Sequence, residues 1–437
     1  MRRSLAVVLF VLTAARAAAQ AGPALIDLPS ALRLADAQNL DVQLAREALH
    51  QAEAARTGAT ELFIPSVSPG VGYHRRDGLA QASPSGVISG ANYSSYSPGA
   101  AFGAQIAVGD AIFNSLVARR LVTASGEGLS AQRQVSTVRA AQQYFDLAKA
   151  KSLVDVVRAA IATSQDYQNQ IHEAVALGIA FRGDELRVES QTDHYQVVLR
   201  DAIAQQRVAA VELAKTLHLD ANVELVPRDS DLVPLVLVDT ASASDSLVAR
   251  ALRGRPEVRQ AAAVVSASEA SRSAARYGAL VPAVGAQVFT GALGGGPDSG
   301  RTRVGAMTDY AVGLSWRIGP GGLFDLARID ASEAQLASAR LNDAKERDIV
   351  AAEVVSGLAR VRALGEQIAL SARALETATE TLRLTRARRE FGVGIVLEDI
   401  QAQQAVTQAR GDYVTAIAEF DKAQYALSKS VGAVTQR

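Results

Sequence analysis

The sequence predicts a mainly α-helical chain with a smaller β-barrel part, built from one unit of paired strands and a long antiparallel coiled-coil hairpin written twice. Three observations lead there. The chain resembles itself at a spacing of about half its length, two long helical stretches are each broken once at glycine, and period-two segments precede each stretch. Composition agrees, because Ala, Leu, Val, Gln, Arg and Glu dominate and aromatics are only 5% of 437 residues, a bias that favours long helices. Forty-five basic residues balance 45 acidic ones. No electrostatic capture of nucleic acid is therefore expected. The only basic run, Arg383–Arg389, reads as a solvated helix face.

Residues 1–19 read as a secretory signal. Arg2 and Arg3 supply positive charge, Leu5 to Leu12 an apolar core, and Ala17-Ala18-Ala19 a small-residue cleavage site. With no cysteine in the chain, disulfides, thiolate metal sites and a lipid-anchored cysteine after the signal are all ruled out. No second apolar run reaches the roughly 20 residues of a membrane helix. The exported protein is then either soluble in the periplasm or beyond, or crosses a membrane as β-strands, whose closed barrels also satisfy every backbone hydrogen bond in lipid.

The first repeat is expected over residues 20–221, a connector over 222–245 and the second repeat over 246–437. A helical run after Asn39-Leu40-Asp41-Val42 ends at Phe63-Ile64-Pro65, and one after Arg255-Pro256-Glu257-Val258 ends at Leu280-Val281-Pro282. In each, proline stops the helix and opens an extended segment. Strands are expected at about 65–74, 100–109, 282–290 and 309–318. The clearest places Tyr310, Val312, Leu314, Trp316 and Ile318 opposite Ala311, Gly313, Ser315 and Arg317. An apolar face with aromatics and a small or charged face suits lipid on one side and a wet lumen on the other, or equally a strand of a soluble sandwich. Asp77–Ser97 and Gly291–Asp309, rich in Gly, Ser, Pro and Ala, read as loops.

Helix is expected from about Asn114 to Leu219, interrupted at Gly178, and from Phe324 to Val431, interrupted at Gly392-Val393-Gly394. From Asn114 to Gly178 alone is about 65 residues, roughly 100 Å at about 1.5 Å per residue, and such a length requires a partner helix. Val354, Val361, Ile368, Leu375 and Leu382 recur every seventh position, with Gly357, Leu364, Ser371 and Ala378 between them. One row is large and the other mostly small, so a helix doubled back at each glycine can approach closely. The connector, with Pro227 and Pro234, reads as irregular or briefly extended and without chemistry of its own. If the strands span a membrane, four cannot close a barrel, for which about eight are the minimum. The barrel must then be shared between subunits, and the sequence does not choose between two copies and three.

Signatures of catalysis are missing. His50, His74, His172, His194 and His218 show no metal-ligand spacing, Gly294-Gly295-Gly296 lacks the Gly-Lys-Ser/Thr of a phosphate cradle, Leu397 stands where a dinucleotide fingerprint needs glycine, and no Gly-x-Ser-x-Gly elbow occurs. The expectation is no enzyme, no cofactor and no metal.

The order of these features resembles one family. The segment from Glu390-Phe391-Gly392-Val393-Gly394 to Glu398-Asp399-Ile400-Gln401 looks like the aromatic-x-x-Gly turn, followed six residues later by an acid, of the TolC-like outer-membrane efflux proteins. Ala176-Leu177-Gly178 through Asp184-Glu185-Leu186 is its counterpart, again six positions from glycine to acid. The resemblance covers nearly the whole mature chain. It implies a homotrimer with a shared twelve-stranded barrel in outer-membrane lipid and a periplasmic α-barrel of helices in a Gram-negative bacterium. Such a trimer is a passive exit duct for a tripartite efflux or type I secretion system. Its partners would be a periplasmic adaptor and an inner-membrane transporter.

By position, the resemblance places Asp184, Glu398 and Gln401 at the constriction, with Gly178, Gly392 and Gly394 at hairpin tips where the adaptor docks, and Tyr310 and Trp316 at the membrane interface. Gln401 stands where some members have a second acid, and Gly394 where some have an arginine tying the hairpins together. Without the resemblance, Asp184 and Glu398 simply favour the N-terminal dipoles of new helices. An exported coiled-coil adhesive protein and a soluble periplasmic adaptor are the alternatives. The paired strands argue against the first, and two hairpins rather than one against the second.

Overall fold

The computed structural model describes residues 24–72, 78–81, 86–91, 93–228, 232–297, 303–390 and 395–433, so the signal segment and Gly392 and Gly394 lie outside the described residues. The chain runs β1 (Ala24–Ile26), α1 (Leu28–Gln38), α2 (Leu40–Glu61), β2 (Ser66–Gly72), β3 (Gly78–Gln81), β4 (Ile88–Ala91), β5 (Tyr93–Tyr96) and β6 (Gly99–Ala107). The long helices α3 (Val108–Ala176) and α4 (Arg182–Thr216) follow. The second half continues with β7 (Leu225–Pro227), α5 (Ser244–Gly254), α6 (Pro256–Tyr277), β8 (Ala283–Pro297), β9 (Arg303–Ser315), α7 (Leu326–Glu390) and α8 (Val396–Ser430). Helices of 11, 22, 69 and 35 residues in one half meet helices of 11, 22, 65 and 35 in the other, so the duplication holds helix by helix. Among the described residues no helix is long and apolar enough to cross a membrane.

The chain forms two compact units, the first comprising residues up to Leu40 with Val135–Ala241 and Gly357–Lys429. Here β1 and β7, the opening strands of the two halves, pair in parallel with Ala24 opposite Leu225. The start of α1 is set by Asp27, whose Oδ1 accepts the Ser30 N–H at 2.8 Å, with proline in the first turn. The unit's core packs Ala31, Ala35, Ala140, Ala141, Tyr144, Phe145, Leu147, Leu213 and Leu217 together. Small alanines between large residues let the helices approach closely. Along α7 the seven-residue row behaves as its pattern demands. Val354 and Val361 are buried, and Ile368, Leu375 and Leu382 are half-buried.

The connector is pinned to α7 and α8 by hydrogen bonds. Its backbone donors are satisfied by α8 side chains. Asp421 Oδ1 accepts the Leu235 N–H at 2.7 Å, and Gln424 Oε1 accepts those of Leu237 and Val238 at 3.2 and 3.0 Å. Arg362 donates to the Thr240 carbonyl from Nε and Nη2.

The second unit, Asp41–Gln134, Ser242–Ser356 and the residues from Ser430 on, contains the sheet. β6 pairs antiparallel with β2 on one side and β8 on the other, and β9 pairs with the far edge of β8. β5 joins β8 beyond the end of β6, and β3 and β4 form a separate antiparallel pair. Two expected loops therefore carry strands. The β8–β9 ladder runs on through Gly291↔Met307 to Gly295↔Arg303, where a loop over 291–309 was expected. The triple glycine misled, because a glycine paired on both edges can stay in a ladder that its propensity opposes. At its other end β9 stops at Ser315, leaving Trp316 and Ile318 outside the ladder.

Register sets the two faces. Pro69, Phe102, Val288 and Tyr310 form one row across four strands, Val67, Ala104, Ala286 and Val312 the next, and Ile106, Val284 and Leu314 a third. The opposite face carries Ser66 beside Gln105, Ser68 in line with Gln287, and Asp309. The apolar rows lie uncovered, with Val67, Tyr310, Val312 and Leu314 all more than half exposed. Among the described residues, the outer edges of β2 and β9 pair with no strand.

Candidate channel tip

The candidate site lies where α3 ends and α4 begins and where α7 ends and α8 begins, all of it within the first unit. At the first, the Ile179 N–H donates to the Ala174 carbonyl at 2.9 Å and the Gly178 N–H to the Val175 carbonyl at 3.0 Å. That pair of bonds closes α3, and it requires Gly178 at φ +75°, a region L side chains avoid. Leu177, Ile179 and Phe181 project from this turn and are exposed. Beneath it, Tyr167 and Ile171 of α3, Val188 of α4 and Ile400 of α8 form a small apolar core. Ser164 and Thr192 share a 2.8 Å hydrogen bond nearby.

The expected constriction residues occupy the first turns of their helices, where acids suit the dipole. Asp184 and Glu398 do not pair with each other. Asp184 Oδ1 accepts from Arg187 at 2.9 Å, and Glu398 Oε2 from Arg388 at 3.3 Å. Gln401 is exposed.

The buried acids are the neighbours. Glu185 is clamped by His172, 2.8 Å from its Oε1, and by Arg182, and these two bonds, the histidine's first, hold its carboxyl below the usual carboxylate range. Asp399 is 1% exposed, and Arg389 Nη1 donates to its Oδ2 at 2.6 Å. Burial pushes the Asp399 carboxyl up, opposed by Arg389 and Arg386. Arg389 also donates to Gln170 Oε1 at 3.2 Å, and its guanidinium lies over the Tyr167 ring, 4.5 Å from the centroid. One arginine thus ties α7, α8 and α3 together.

Reading Arg383–Arg389 as a solvated face is corrected at this end, since the half-buried Arg389 ties to the buried Asp399. The available signal was the acid-acid pairs Asp184-Glu185 and Glu398-Asp399 opening both helices. In each pair the second acid turns inward, about 100° round the helix from the first.

In the second unit, Tyr310 stands exposed on β9, and Trp316, just past the strand end, donates its indole N–H to the Leu280 carbonyl at 3.2 Å. An indole anchored at one edge with its ring exposed has the amphipathic form of membrane-interface aromatics.

Strands with an uncovered apolar face and, among the described residues, open edges, duplicated with long helical hairpins, make up a fold that is shared with known proteins. Residues 247–433 match the family described as Outer membrane efflux protein. The chain is similar to a membrane protein of Pseudomonas aeruginosa (TM-score 0.75, 20% identity, 93% of this chain and 92% of that one). It is likewise similar to the CmeC outer membrane channel of Campylobacter jejuni (0.75, 15%, 93% and 85%). The MtrE outer membrane channel of Neisseria gonorrhoeae, in its open state, also shares the fold (0.72, 18%, 93% and 88%). Among curated proteins none matches the sequence. The second half thus carries the family match, and the chain as a whole shares the fold of these outer-membrane channels.

Proposed function

We propose that the chain is one protomer of a passive outer-membrane exit duct, a homotrimer serving a tripartite efflux or type I secretion system. The observation that carries this reading is the sheet, whose uncovered apolar rows run across three or four strands between two edges that pair with no strand among the described residues. Such a face is stable only against lipid, and such edges are satisfied only by further copies. Three copies supply twelve strands. The helical hairpins then belong in the periplasm. There the exposed Leu177, Ile179 and Phe181 around Gly178, with the turn carrying Gly392 and Gly394, dock an adaptor that recruits an inner-membrane transporter. Asp184 and Glu398, with Gln401 beside them, ring the narrowed end, and energy comes from the transporter.

Reconstitution into planar bilayers tests the reading. The trimer should insert and carry steady ionic current. A folded trimer that never conducts would sink it.

A further inference from the structure

A groove of about 500 Å³ opens between α3, α4, α7 and α8 in the first unit, within the usual range for small-molecule sites. Arg383, Arg386 and Arg410 line it, and among the described residues no carboxylate does. Arg383 is held by Glu380 at 2.7 and 2.8 Å. Arg386 and Arg410 make no hydrogen bond or ion pair among the described residues, although Arg386 acts on Asp399 through space. Two further lining residues, Tyr195 and Gln403, are each only 5% exposed. The Tyr195 hydroxyl and the Gln403 Nε2 are buried without a hydrogen-bond partner among the described residues. Thr163, also on the lining, adds a hydroxyl.

Buried donors left unpaired are costly, and two guanidinium groups without a hydrogen-bonded carboxylate beside them form a positive field that favours an anion. We propose that this groove is a binding site for a small organic anion bearing two or more carboxylate or phosphate groups. Arg386 and Arg410 would grip the charged groups, and Tyr195 and Gln403 would donate to the same oxygens. The site stands independently of the duct reading, because every residue in it belongs to one protomer.

The test is titration calorimetry of the full-length protein in detergent at low salt, with citrate in one arm and pyrophosphate in the other. At least one should bind saturably, and the arm that does identifies carboxylate or phosphate as the preferred group. Arg386→Gln with Arg410→Gln should weaken that binding roughly tenfold or more. Tyr195→Phe, which removes one oxygen, should weaken it a few-fold. Arg347→Gln, which alters an arginine paired with Asp343 elsewhere, should leave it unchanged. If neither anion saturates, or if R347Q loses as much as the R386Q/R410Q pair, the site does not exist.

Discussion

Arg389 near the end of α7 and Asp399 in the first turn of α8 meet at 2.6 Å, with the Asp399 side chain almost wholly out of solvent. Removing the guanidinium leaves a buried carboxylate with no cation in contact, a change that costs about 3–5 kcal/mol in buried pairs. Arg389→Ala should therefore loosen the first turn of α8, read as faster amide hydrogen exchange over residues 396–404. Asp399→Asn should cost less, because a neutral amide is cheaper to bury. The double variant should be less perturbed than the two losses added together. Exchange in R389A indistinguishable from the parent protein would mean that the tie is ornamental.

Asp184 and Glu398 are partly exposed and each is shared with an arginine, so their negative charge is only partly available to a passing ion. Asp184→Ala with Glu398→Ala should lower cation over anion permeability, measured as reversal potential in a salt gradient. The shift should be modest, because Arg187 and Arg388 are released at the same time. An unchanged reversal potential rejects the constriction role proposed for these two positions.

Much of this architecture can be read from residues alone, and the reasons are local. Seven-residue spacing from Val354 to Leu382 demands a partner helix, and a glycine six positions ahead of an acid marks where the chain turns to provide one. Proline at 65 and 282, beyond the first turn of the preceding helix, cannot continue it. What sequence does not reveal depends on distant partners. Whether Glu398 or Asp399 turns inward is decided by where Tyr167 and Arg389 stand, not by any difference between the two acids. The connector looks featureless because the side chains that satisfy its backbone, Asp421 and Gln424, lie about 186 residues further along. The glycines of β8 read as a loop because their strand is imposed by two neighbours rather than by their own preference.

His218 ends α4 at φ +53°, where the Leu219 N–H donates to the Ala214 carbonyl at 2.8 Å and the His218 N–H to the Lys215 carbonyl at 3.2 Å. This is the same closing pattern as at Gly178, but here a residue with a Cβ holds the left-handed position. That conformation costs an L residue about 1–2 kcal/mol, partly offset in a glycine variant by its larger chain entropy. The imidazole is exposed, so little packing is lost. His218→Gly should raise the thermal midpoint by about one degree, on the order of 1 kcal/mol. A lowered midpoint would show that the ring makes a stabilising contact in the assembled protein.

Asp421 offers a test in pH. Its carboxyl is fully buried, one oxygen accepts the Leu235 N–H, and burial pushes its pKa up to about 7 against that hydrogen bond. A folded-state value above the unfolded one means that folding takes up a proton. The stability this group contributes is full below about pH 4, declines as pH rises, and is lost by about pH 7, a total on the order of a few kcal/mol. Asp421→Asn keeps an acceptor for Leu235 and cannot ionise. Its thermal midpoint should match that of the parent near pH 4 and exceed it increasingly toward pH 7, after which the gap should stay constant. Thermal melts in detergent at half-unit pH steps would measure the gap, and parallel curves across that range would mean that Asp421 never carries the proton assigned to it.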